Sequence, residues 1–257
     1  MRAAFFPMLN RRTFCGSALA LPVSFKVKKK MPATIAMTFD TDVTTYTNAL
    51  WDMAAKGIPG TFFADADRIN GAGQPTRDNL LLMAMQGWEI GARVYGTLSG
   101  AEANMVSVMT NNRSVAFDRL KAAKDLMYAQ GFAIKSIAAS QRAWSMPLRG
   151  MAAQLFEGVR VADVTAWGGY PVDPLYVRAG GTSSWSGADT PASLRAQLDA
   201  VIAAGGVWYP VIHRVDNTGD PNYTIPVAVF ADFTTYLKSK MDAGLVRAVT
   251  FQKSLAP

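Results

Sequence analysis

Asp40 and Asp42 stand two residues apart where the apolar run ATIAMTF, residues 33 to 39, gives out. Carboxylates so close can work as a catalytic pair, or they can cap the following helix through its backbone amides. Far along the chain, VWYPVIH closes on His213, the one histidine in the sequence. It can donate a proton in a reaction or serve as a hydrogen-bonded structural residue. Between these lie Arg93, Tyr95 and Thr97 after WEIGA, Arg142 and Trp144 after KSIAA, and Trp167 after VRVAD. An arginine beside two acids can form a forked ion pair, or it can simply point to solvent. The rings of Tyr95, Trp144, Trp167 and Trp185 suit stacking on a sugar, or packing in a core. Trp144 and Trp185, flanked by polar residues, are the better surface candidates.

These residues come together only if the runs that carry them are parallel strands sharing one end. Short β-rich runs recur at 33–39, 60–64, 88–92, 135–139, 159–163, 175–179, 207–213 and 246–251, and helical patterns separate most of them. One helix carries Leu50, Met53 and Ala54 and stops at Gly57. A second, Ser114 to Gln130, ends at Gly131. A third opens with Thr190-Pro191, an N-cap and a first-turn proline, and ends at Gly205. Asp232 to Lys240 continues the pattern. The methionine-rich LLLMAMQ, residues 80 to 86, reads as core. Such an alternation predicts an α/β fold, a distorted (β/α) barrel of seven or eight strands, with function at the strand ends.

Charge excludes one class of partner. The chain has 26 basic and 19 acidic residues. Arg2, Arg11, Arg12, Lys26, Lys28, Lys29 and Lys30 all precede Met31, where no acid occurs, so 19 basic residues face 19 acidic ones from there on. A neutral body argues against nucleic acid. The division expected is residues 1–31 as a basic and apolar segment and 32–257 as the barrel. Arg11-Arg12 before the run from Phe14 to Phe25 looks like a twin-arginine export signal, and the alternative is an assembly arm that contacts partner chains. The run is too short to span a membrane. Cys15, the single cysteine, lies in this segment, so the barrel has neither an internal disulfide nor a CxxC motif.

From Pro32 to about Leu255 the chain resembles the polysaccharide deacetylases of the NodB type, carbohydrate esterase family 4. IAMTFDTD is similar to the family's opening TFDDG or FDxD motif, and KGIPGTFFA to its second strand. MAMQGWEIG is similar to the approach to the HxxxH ligand motif, IAASQRAWSMPLRGMAA stands in the place of the RPPYG stretch, and PVIHRV resembles the closing LH motif. The resemblance implies a distorted barrel and a divalent metal, usually zinc, held by one aspartate and the two HxxxH histidines. It further implies Asp40 as general base, Asp42 as metal carboxylate and His213 as general acid, with Arg93, Tyr95, Arg142, Trp144 and Trp167 facing substrate. A strict FDDG alignment puts Thr41 at the metal position instead.

The pattern breaks at the ligands, because Arg93 and Thr97 stand where the histidines belong. One carboxylate does not hold zinc, and the spacing of Asp65, Asp67 and Glu89 does not argue for another ion. The expectation is therefore a deacetylase-like barrel without a metal cofactor, probing glycan without hydrolysis or serving as a structural module. Arg93 is expected to neutralise Asp40 or Asp42. The alternatives are an active deacetylase of N-acetylated cell-surface polysaccharide with a rearranged site, and a phage virion or assembly component. The expected partner is a polysaccharide or peptidoglycan-type glycan, and the expected location is exported or virion-associated.

Overall fold

A computed structural model describes residues 32–40, 42–93, 112–139, 144–165, 172–180 and 185–256. The segment 1–31, Thr41, Tyr95, Thr97, Arg142 and Trp167 lie outside the described residues.

Strands β1 (Ala33–Ile35) and β2 (Met37–Asp40) come from one apolar run, followed by β3 (Gly60–Asp65), β4 (Glu89–Arg93), β5 (Ser136–Ala138), β6 (Gly158–Thr165) and β7 (Val177–Gly180). The run at 207–213 divides into β8 (Val207–Trp208) and β9 (Val211–Ile212), and β10 (Arg214–Val215), β11 (Thr224–Ile225) and β12 (Val246–Ala248) complete the set. Seven strands form a parallel sheet in the order β7-β6-β5-β4-β3-β2-β9, and three more pair as β12-β1-β8. The 207–213 run breaks at Pro210, which has no amide proton to give to a ladder. The neighbouring bonds Ala36 N–H to Trp208 (2.9 Å) and Thr38 N–H to Pro210 (3.1 Å) keep the two runs side by side through the break. Trp185 N–H donates to the outer edge at Val211 (3.0 Å), so chain that follows β7 meets β9. The expected distorted barrel is the observed architecture.

The helices are α1 (Leu50–Ala55, after a π-helical stretch at Thr45–Ala49), α2 (Arg77–Met85), α3 (Arg113–Ala129), α4 (Met146–Ala152), α5 (Pro191–Ala204), α6 (Val227–Asp242) and α7 (Phe251–Ser254). Their ends follow local chemistry. Thr190 accepts the Ser193 amide and Ser193 returns the bond, while Gly205 closes α5 in the left-handed conformation at φ 73°. Three expectations need correction. LLLMAMQ is not core throughout: α2 buries Leu80 and Met83 and leaves Met85 78% exposed, because an amphipathic helix turns only one face inward. The last strand stops at Ala248, and Phe251 begins α7 instead. Trp185 is fully buried among Trp208, Phe230 and Phe233, so it is packing rather than surface.

Strand register sorts the sheet into two faces, since alternate side chains point opposite ways. Phe39, Phe62, Ala64, Ile90, Ala92, Ile137 and Val159 face outward into a large core shared with the helices. Phe63 and Ala138 face inward and join Ala36, Val177, Val207, Tyr209 and Phe251 in a second, smaller core. Gly91 belongs to that inner face: a Cβ there would sit 2.6 Å from the Phe63 ring and 2.8 Å from Ser136 Oγ. Below this core α7 covers the N-terminal end of the strands. Phe251 N–H donates to Thr61 Oγ1 (2.8 Å), Gln252 N–H donates to Glu89 (2.7 Å), and the Ser136 hydroxyl also donates to Glu89. These bonds close the N-terminal end of the strands among the described residues.

Candidate functional site

The inner face carries charge at its C-terminal rim. Asp40 ends β2, Asp65 ends β3, Arg93 ends β4, Arg160 lies in β6 and His213 follows β9. Asp65 pairs in register with Arg93, Arg93 with Ala138, and Ala138 with Arg160, so these four point the same way in one row. Two forked ion pairs result. Arg93 donates from Nε to Asp65 Oδ1 (2.9 Å) and from Nη2 to Oδ2 (3.3 Å). Arg160 Nη2 donates to both oxygens of Asp40, each at 2.8 Å, and its Nη1 donates to Thr38 Oγ1 (3.2 Å).

The Arg160 bridge depends on the curl of the sheet. β6 and β2 are four steps apart in strand order, which in a flat sheet is about 19 Å at the usual strand spacing. An arginine cannot span that, so the contact is made across the interior of a nearly closed barrel. The guanidinium is fully buried and lies over the Phe63 ring at 5.0 Å. A weakly hydrated planar cation tolerates such a place better than an ammonium would.

A third layer of contacts ties the pairs together. Arg93 Nη1 lies 3.6 Å from Asp40 Oδ2, and His213 Nδ1 lies 3.7 Å from the same oxygen. Burial works to raise the Asp40 carboxyl, but Arg160, Arg93 and His213 together outweigh it and hold the group below its ordinary value. Asp65 is pushed up by burial, which Arg93 only partly offsets. Burial lowers His213; Asp40 resists the change, and Arg93 and Arg160 add to it. At neutral pH the row therefore holds the Asp40 carboxylate and a neutral imidazole, with Asp65 pushed toward its protonated form beside Arg93. Tyr223 stands edge-on to that imidazole, with centroids 5.5 Å apart.

The expected site is thus partly assembled and differently wired. Asp40, Arg93 and His213 lie together at the strand ends. Arg93 is 12% exposed and forks onto Asp65, with Asp40 as a neighbour, rather than onto Asp42. Asp42 stands apart: Oδ1 accepts the Thr44 amide (2.8 Å) and Oδ2 lies 3.9 Å from Arg214. That is an Asx-type turn leading into the helical segment, whose N-cap is Thr44 without a side-chain cap bond. Trp144 packs against the outer core instead of the rim. Arg160 is the residue that sequence reasoning missed. Its signal was available, because a charge set between Val159 and Val161 in a parallel strand must find a buried counterion.

The rim does not fit a divalent cation. Both Asp40 oxygens are engaged by Arg160, both Asp65 oxygens by Arg93, and an entering ion would meet two fixed positive charges. Among the described residues no three His, Cys, Asp or Glu side chains are grouped to hold a metal. Nor does the site offer an open base, since Asp40 is 3% exposed.

No protein-family model matches the sequence, and no curated protein matches it either. A protein from Mycobacterium smegmatis assigned as a polysaccharide deacetylase aligns at TM-score 0.57 and 14% identity, over 88% of this chain and 90% of that one. The peptidoglycan deacetylase PdaC from Bacillus subtilis aligns at 0.52 and 16%, over 88% and 91%. A family 4 acetyl xylan esterase from Clostridium thermocellum, solved with a cobalt ion, aligns at 0.50 and 17%, over 86% and 89%.

Proposed function

We propose that this chain, which has the fold of the polysaccharide deacetylases, engages glycan without hydrolysing it. The observation that carries the reading is the Arg160 fork on Asp40. Hydrolysis of an acetyl group needs a carboxylate free to take a proton from water and an acid able to protonate the departing group. Asp40 has both oxygens occupied and a lowered pKa, so it is a poor base. His213 has a lowered pKa too, so at neutral pH it carries no extra proton to give. The two guanidiniums supply the positive charge that balances the acids, and they occupy the carboxylate oxygens that a reaction would need free.

Two relatives in fold are named for peptidoglycan and for acetyl xylan, which share pyranose rings and differ in chemistry. A polysaccharide or peptidoglycan-type glycan is accordingly the ligand class proposed, with Arg93, Tyr95, Arg142, Trp144 and Trp167 as residues to probe. Residues 1–31 are read as an export signal or as an arm contacting partner chains, which places the protein outside the cytoplasm or in a virion. A structural role within an assembly is the companion reading, and Arg11-Arg12 with the basic run Lys28-Lys29-Lys30 motivates it.

Purified protein incubated with acetylated chitooligosaccharide tests the proposal. Glycan binding with neither acetate release nor stoichiometric metal is the expected outcome. Bound zinc together with turnover that disappears in Asp40→Asn would overturn it.

A further inference from the structure

A cleft of about 210 Å³ lies at the start of α4, lined by Trp144, Ser145, Met146, Arg149 and Tyr176. Trp144 and Tyr176 pack against the outer core, on the opposite side of the sheet from the charged row. The volume falls below the range of about 300–1,000 Å³ usual for drug-sized ligands, and it suits a single ring.

The lining is amphipathic in a particular way. Two aromatic side chains face a space whose edge is polar. Arg149 and Asp173 form a forked pair at that edge, with contacts of 3.0 and 2.9 Å, and Asp173 also accepts the Leu175 amide (3.1 Å). The Arg178 guanidinium lies over Tyr176 at 5.2 Å and steadies the ring. Met146, 72% exposed, adds an adaptable apolar side. Trp144 Nε1 is shielded from solvent and finds no hydrogen-bond acceptor. The Trp88 and Trp185 indole nitrogens are likewise unsatisfied and sealed from solvent, so Trp144 meets the cleft through other atoms of its ring.

From these features we infer that the cleft binds one neutral pyranose residue of a glycan, its apolar face against Trp144 and Tyr176. The Arg149–Asp173 pair offers both donors and acceptors to outward hydroxyls. The inference rests on the glycan-binding reading but places recognition away from the strand-end row, so the row can stay locked while the protein binds.

Fluorine NMR of full-length protein labelled with 5-fluorotryptophan tests it, with Trp144→Phe assigning the resonance. Titration with triacetylchitotriose and with xylotriose is expected to shift the Trp144 signal saturably. Tyr176→Ala is expected to weaken binding about tenfold, and Trp144→Phe, which offers the sugar a smaller ring face, roughly threefold. Melting temperatures confirm that both variants fold. Sugar binding detected by calorimetry with an unmoved Trp144 signal and unchanged affinity in both variants overturns the cleft and leaves the glycan-binding reading intact. Absence of binding by either sugar overturns both. Acetate release by the wild type with the Trp144 shift retained overturns the non-hydrolytic reading and supports the cleft.

Discussion

Replacing Arg160 with methionine would keep an apolar stem near Phe63 while stripping Asp40 of the cation that holds both its oxygens. Breaking a buried pair from one side leaves an uncompensated charge, so Arg160→Met should cost about 3–5 kcal/mol in urea unfolding. Adding Asp40→Asn should recover part of that loss. A single variant within 1 kcal/mol of wild type, on the same order-of-magnitude scale, would mean that water reaches the pair. Arg93→Met should cost less, because the Asp65 left behind already has a raised pKa and can protonate to shed its charge. His213 makes a separate prediction in pH. Its folded pKa lies below the ordinary 6.5, so the unfolded chain binds the proton more readily. Stability should therefore be unaffected by this group above about pH 6.5, fall as pH drops below that, and level off under the folded value. His213→Gln should flatten that part of the curve, and the chain has no other histidine to blur the comparison. Asp40 acts lower on the scale, giving stability above its unfolded value near 3.8 that is lost as pH falls through its folded pKa. Asp40, Arg93 and His213 were legible in sequence because strand ends are where a parallel barrel exposes side chains. The wiring was not, because which acid an arginine chooses depends on sheet curvature, and no local pattern encodes that.

Among the elements, β4 does the most to shape the interior. Its inward residues are Glu89, Gly91 and Arg93, which meet the helix plug, the Phe63 ring and the charged row in turn. Gly91→Ala would drive a methyl into the Phe63 ring and Ser136 Oγ, both under 3 Å from the new carbon. Overpacking of this kind costs about 1–3 kcal/mol, and Phe63 cannot retreat without disturbing Arg160 above it. Equilibrium unfolding of the variant checks this, and a change below a few tenths of a kcal/mol would show that the ring relaxes freely. Helix boundaries were readable to within a residue or two where a cap spoke locally, as with Thr190, Pro191 and Gly205 in α5. Readability failed where the signal was global. Pro210 marks a break in the run at 207–213, but nothing in the pattern tells that β8 pairs with one sheet and β9 with the other. The same ambiguity hid α7, whose Phe251 serves the inner core from a helix rather than a strand.

For the molecule as a whole, the question is whether the fold still responds to a metal. A site that bound zinc in the folded state alone would gain about 2.7 kcal/mol at a zinc concentration a hundredfold above Kd, and the unfolding midpoint would move with added ion. The rim described here has its acids paired with Arg93 and Arg160, so binding an ion there requires displacing a guanidinium from a buried carboxylate. That exchange strands a charge in a place with few other partners, and the ion gains too few donors to offset it. The midpoint is expected to stay the same with chelator, zinc or cobalt at neutral pH, as read by thermal or chemical unfolding. The combined variant Arg93→His and Arg160→Leu tests the same logic from the other side. It removes both cations and returns one nitrogen ligand beside Asp40 and His213, so its midpoint should fall without metal and rise with zinc. If wild-type protein is itself stabilised by zinc in proportion to concentration, the arginines yield to the ion, and their role as its substitute is disproved.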